Sequence, residues 1–154
     1  MYTTVAAEQN IGRMGISPQT LRSEMPRRET ILVADDNAAI LDMLASILAD
    51  AGYNVLVATD GAEALGMVEV HRPDLVLIDF MMPVMDGCTA CQRLKSAEGT
   101  RELPVVLMSA DGKVADKAME ARADHYLLKP FSIDDMLGCV QSFLSLSRER
   151  SFDA

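Results

Sequence analysis

Five polar side chains in this 154-residue chain sit where apolar runs stop. Asp35 and Asp36 follow Ile31-Leu32-Val33-Ala34. Asp79 follows Leu75-Val76-Leu77-Ile78, Ser109 follows Pro104-Val105-Val106-Leu107-Met108, and Lys129 follows Tyr126-Leu127-Leu128. Three carboxylates drawn into one site repel: two unit charges about 4 Å apart cost about 4 kcal/mol at an effective dielectric near 20. At least one pKa should then rise unless a cation intervenes. Oxygen donors with no His or Cys among them suit Mg²⁺, which keeps part of its hydration shell, and not zinc. A lysine ammonium contacts phosphate as a point charge, and a serine hydroxyl donates to it. The set therefore suits phosphoryl transfer with a carboxylate as nucleophile.

Such convergence needs elements that deliver each group to the same end of the molecule. The apolar runs are short and continuous, as strands buried on both faces should be. Between them lie helical periodicities. Ile40, Leu44, Ile47, Leu48 and Ala51 form one stripe, ended by Gly52, and a weaker helix runs from Asp60 to His71. Others are expected near Cys88–Ala97 and Lys113–Arg122. The last begins after a Ser132 cap and carries Ile133, Met136, Leu137, Val140, Phe143 and Leu144. Five strand–helix alternations imply an α/β domain with a parallel sheet covered on both faces. In such sheets ligands bind outside the carboxyl ends of the strands, where the strand order reverses.

At these residues the chain resembles the receiver domain of bacterial two-component response regulators, in particular the single-domain chemotaxis type. The resemblance rests on Asp35-Asp36, on Asp79 with Phe80-Met81-Met82-Pro83-Val84-Met85-Asp86-Gly87, on Ser109-Ala110, and on Tyr126-Leu127-Leu128-Lys129-Pro130-Phe131. It implies a doubly wound, flavodoxin-like (βα)5 fold with strand order 2-1-3-4-5. Asp79 would be the phosphoacceptor, taking its phosphoryl group from a sensor histidine kinase or a histidine phosphotransfer protein. Asp36, Asp79 and the backbone carbonyl of Met81 would bind Mg²⁺, with Asp35 acting mainly through water. Ser109 and Lys129 would contact the phosphoryl group, Pro130 would be cis, and Ser109 with Tyr126 would form the switch. The fourth helix, fifth strand and fifth helix would then change surface for a downstream protein. The resemblance allows a monomer or a phosphorylation-dependent dimer.

Composition bounds the alternatives. The formal charge is −9, which repels phosphate backbones and disfavours nucleic acid as a partner. No apolar stretch approaches the ~20 residues that span a bilayer, and three Cys suit a reducing cytoplasm better than a disulfide scaffold. Residues 1–28 carry four Arg against two Glu and few large apolar side chains, so they are expected to be a flexible tail. The receiver is expected over 29–147 and a short C-terminal tail over 148–154, which makes the expected protein a single-domain regulator signalling by protein contact. An enzyme is not expected: a small Asp-nucleophile phosphatase would need an acid at position 81, where Met stands. A receiver-shaped module that signals without phosphorylation is the other rival. Cys88 and Cys91 space as C-x-x-C but fall on one helical face and read as small core residues. Arg122 stands where receivers usually have Gly, so either that turn differs or the residue is strained.

Overall fold

The computed structural model describes residues 27–153, with side chains through Arg150. The residues expected to form the N-terminal tail lie almost wholly outside this range. Among the described residues five strands and five helices alternate: β1 (Thr30–Ala34), α1 (Ala38–Asp50), β2 (Asn54–Ala58), α2 (Gly61–His71), β3 (Leu75–Asp79), α3 (Gly87–Ser96), β4 (Val105–Ser109), α4 (Val114–Ala121), β5 (His125–Leu128) and α5 (Ile133–Asp153). All strand pairs are parallel, in the order β2-β1-β3-β4-β5, the doubly wound (βα)5 arrangement.

The continuous apolar runs are explained by two cores, one on each side of the sheet. Leu32, Ala34, Val76, Ile78 and Leu107 point to one side, where Ala64, Val68, Leu94 and Ala118 of α2, α3 and α4 cover them. Their sequence neighbours Ile31, Val33, Leu75, Leu77, Val106 and Met108 point to the other, against Leu41, Leu44 and Leu48 of α1 and Met136, Val140 and Leu144 of α5. Alternate strand residues thus serve opposite cores, and each fully buried large side chain contributes about 1.5–3 kcal/mol.

Short polar side chains fix where the helices begin. Asn37 accepts from Ala39 N and Ile40 N to start α1. Asp60 and Asp86 accept from Glu63 N and Thr89 N at 2.7 Å, and Ser132 Oγ accepts from Asp135 N at 3.0 Å. Gly52, at φ +100°, closes α1 in a conformation open mainly to glycine. The C-terminus departs from expectation. In place of a tail from 148, α5 continues to Asp153. Past the apolar stripe Arg148 pairs with Glu29 at the start of the sheet, and Arg150 Nη1 lies 3.3 Å from Glu102 in an exposed pair.

Candidate functional site

β1 and β3 are neighbours, and between them the strand order reverses. Their carboxyl ends deliver Asp35, Asp36 and Asp79 to one place, where each offers a carboxylate oxygen within 4.8 Å of the others. Asp35 is 1% exposed and Asp79 6%, whereas Asp36 faces solvent. Lys129, which follows β5, reaches back across the end of β4. Its Nζ donates to Asp35 Oδ2 and lies equally close to Asp79 Oδ1, each at 2.7 Å. The Lys129–Pro130 peptide is cis, as the resemblance implies, and Lys129 N donates to Ser109 O at 2.8 Å. The other oxygen of each buried carboxylate accepts from the backbone. Asn37 N donates to Asp35 Oδ1 at 2.9 Å, and Met81 N donates to Asp79 Oδ2 at 3.2 Å.

The loop after Asp79 is fixed by close backbone approach. Phe80 N donates to Met108 O at 2.7 Å, and Gly87 N donates to Phe80 O at 3.0 Å. A Cβ on Gly87 would run into the Asp79 carbonyl, and one on Gly61 into that of Met85. Two helix starts therefore sit directly against this loop, and only glycine permits that distance. Ser109 is buried, and its Oγ accepts from Asp111 N at 3.1 Å. Tyr126 lies outward at 40% exposed, its ring stacked on His125 with centroids 5.6 Å apart. Val84, in the same loop, takes φ +67°, a strained backbone for a β-branched residue.

One carboxylate does have a raised pKa, but repulsion is not the main cause. Burial pushes Asp79 above its ordinary value of 3.8; Lys129 pulls it back by hydrogen bond and charge, and Asp35 adds a smaller upward push. For Lys129, burial works to lower the ammonium's pKa, and the hydrogen bonds and charges of Asp35 and Asp79 outweigh it, leaving a net rise. With all four groups ionised, three carboxylates and one ammonium leave −2, which one divalent cation neutralises. The donors are hard oxygens with Asp36 open to water, so the set fits Mg²⁺.

The expected residues thus meet at one end of the sheet, apart from Tyr126, which faces outward from β5. Met81 enters by its N–H. Sequence reading did not reveal that Lys129 bridges Asp35 as well as Asp79, because that bond spans 94 positions. It also missed Lys95. This residue is 7% exposed, pairs with Asp124 Oδ2 at 2.5 Å and donates to Leu103 O at 2.7 Å. The C-x-x-C reading as core stands. Cys88 Sγ and Cys91 Sγ donate to the carbonyls of Lys117 and Ala121 in α4, at 3.8 and 3.4 Å. Burial pushes both thiols up, Cys91 to about 12, the opposite of a reactive pair.

Known proteins resemble the chain in the same way. The family model for the response regulator receiver domain matches residues 31–141. The DNA-binding dual master transcriptional regulator RpaA of Synechocystis is 41% identical over 122 residues, which are 78% of this chain and 49% of that protein. The chain spans about half the length of the curated relatives it matches. Chemotaxis response regulator CheY4 of Vibrio cholerae superposes with a TM-score of 0.71 at 28% identity, over 76% of this chain and 99% of that one. The receiver domain of a sensor histidine kinase from Pseudomonas aeruginosa, solved with magnesium coordinated in its active site cleft, gives 0.72 at 27% identity over 77% and 99%. With the strand order and the acidic pocket at its reversal, these matches establish that the chain belongs to the response regulator receiver domain family of two-component signalling.

Proposed function

We propose that this chain is a Mg²⁺-dependent phosphoryl acceptor that signals through its surface and is not a turnover enzyme. The observation that carries the reading is the Lys129 ammonium 2.7 Å from both Asp35 and Asp79, with all three carboxylates within 4.8 Å. In the proposed step a carboxylate oxygen of Asp79 attacks the phosphorus of a phosphohistidine. The P–O bond forms as the P–N bond breaks, and the electron pair leaves with the imidazole nitrogen. Asp35, Asp36, Asp79 and the carbonyl of Met81 would hold Mg²⁺, which would supply positive charge where negative charge gathers on the transferring oxygens. Lys129 neutralises charge on the same side, and Ser109 offers its hydroxyl to a phosphoryl oxygen.

The donor is proposed to be a cytoplasmic sensor kinase or phosphotransfer protein. A shallow apolar depression of about 290 Å³ lies beside the site, lined by Ile40, Met43, Ala110, Lys129, Pro130 and Phe131, and suits such docking. Ser109 and Tyr126 are proposed as the switch, and the face built by α4, β5 and α5 as the surface read by a downstream protein. No described helix is long and apolar enough to cross a membrane. A second reading, favoured by the likeness to a DNA-binding regulator of which the matched residues make up 49%, makes this receiver the regulatory part of such a protein.

Intact mass after incubation with Mg²⁺ and acetyl phosphate tests the reading. One added phosphate, labile in mild base and absent from Asp79→Asn, is expected. If neither a mass gain nor a beryllofluoride-induced change around Tyr126 occurs, the phosphorylation-independent module replaces it. Steady turnover of a generic phosphate ester would make the chain an enzyme instead.

A further inference from the structure

Ser109 is tied to its own loop. Its Oγ accepts from Asp111 N at 3.1 Å. The Asp111 carboxylate is held twice in turn: Oδ1 accepts from Lys113 N at 2.9 Å, and Oδ2 accepts from Lys117 Nζ at 3.1 Å. That ammonium also lies 3.9 Å from the centre of the Phe80 ring. Phe80 directly follows Asp79, and its backbone is pinned to β4 and to the start of α3. Lys117 therefore stands between a loop that must move and one that is fixed.

We propose that Lys117 is a positioning residue that holds the loop between β4 and α4 in its resting arrangement, by bridging Asp111 to the Phe80 ring, and so limits how readily Ser109 engages the phosphoryl group. The inference rests on the reading of Asp79 as phosphoacceptor. Rotating the Ser109 side chain toward a phosphoryl group on Asp79 would swing its Oγ away from Asp111 N and release that bond. The loop then shifts, and Lys117 must give up Asp111 or Phe80. A modification moves such an equilibrium only by what it gains in one state over the other. The tether adds to the resting side, and no contact ties Lys117 to Asp79 itself. An ammonium facing both a carboxylate and an aromatic face has two attractive partners at once.

Simple electrostatics predicts the opposite for one of two substitutions, which makes the tether testable. Lys117→Met removes a positive charge and should slow attack on an anionic donor if charge alone matters. Asp111→Asn removes a negative charge and should speed it, while keeping the oxygen that accepts from Lys113 N. If the tether operates, both changes release the loop. Each should raise the phosphorylation rate by acetyl phosphate and the affinity for beryllofluoride about threefold, and the double variant should gain no more than either alone. Lys117→Arg should stay near wild type. Effects of opposite sign, or no effect while wild type gains phosphate, overturn the tether. If wild type takes up neither phosphate nor beryllofluoride, the phosphoacceptor reading fails, and the tether with it.

Discussion

Asp79 is a carboxylate that burial makes costly to ionise. Its native pKa lies above the ordinary value, so the native state holds that proton more tightly than the unfolded chain does. The sign follows: the contribution of Asp79 to stability falls as pH rises from about 4, the unfolded pKa, through the raised native one. Without divalent cations, Asp79→Asn is expected to melt higher than wild type at neutral pH, with the gap closing on acidification. Mg²⁺ should raise the melting temperature of wild type and leave that variant nearly unmoved, because a ligand of the native state stabilises only what binds it. Thermal scans across pH, with and without Mg²⁺, would check both; a variant that melts lower at neutral pH would contradict the account. Arg122 resolves the alternative left by its unusual type. The turn keeps its left-handed geometry at φ +59°, with Arg122 N and Ala123 N closing α4 onto Met119 O and Ala118 O. The strained backbone costs about 1 kcal/mol or somewhat more, while the guanidinium bond to Ser96 Oγ is exposed and worth little. Arg122→Gly should raise the melting temperature by about 3–6 °C.

At the scale of elements, Lys95 joins three pieces of chain. From the last turn of α3 it reaches the carbonyls of Arg101 and Leu103 and the carboxylate of Asp124, which itself accepts from Val105 N at the start of β4. Lys95→Met keeps the apolar stem and removes the ammonium. The carbonyl of Leu103 then loses a partner, while Asp124, about one-third exposed, regains water. The expected loss is about 2 kcal/mol, less than for a fully buried pair, read as a lower urea midpoint with unchanged slope. No sequence pattern announces this contact, since a lone lysine in an amphipathic helix reads as a solvated residue. The strands were legible for the converse reason. Both faces of β1, β3 and β4 are covered, so each reads as an unbroken apolar run closed by a polar residue. The end of α5 was not legible, because its last turns carry no apolar stripe and their contacts run to the distant Glu29 and Glu102.

For the molecule as a whole, the site was legible in composition and order but not in connectivity. Asp35, Asp36, Asp79, Ser109 and Lys129 could be assigned to one end of the sheet because a parallel α/β topology sends every strand's carboxyl end the same way. That the lysine would bridge Asp35 as well as Asp79 could not be read, since that depends on where the turn after β5 aims a four-carbon stem. Nor did the sequence reveal that burial, ahead of mutual repulsion, would dominate the titration of Asp79. The two cores lie on opposite faces of the sheet. The receiver thus has α1 and α5 on one side and α2, α3 and α4 on the other, and the site lies at the rim that both sides share.

The contact of Cys88 and Cys91 with α4 gives this molecule a clock. A thiol whose pKa burial pushes up to about 12 is almost wholly protonated at pH 7, and Cys91 is also shielded from solvent. Alkylation of Cys91 must then wait for α3 and α4 to part, so its rate counts openings of that seam. Labelling of Cys91 should be orders of magnitude slower than that of a free thiol, and mild denaturant should speed it. If phosphorylation displaces α4, it should also speed the labelling of Cys88, at the nearer end of the same seam. Two residues that take no part in the chemistry would then time the motion that the chemistry sets off.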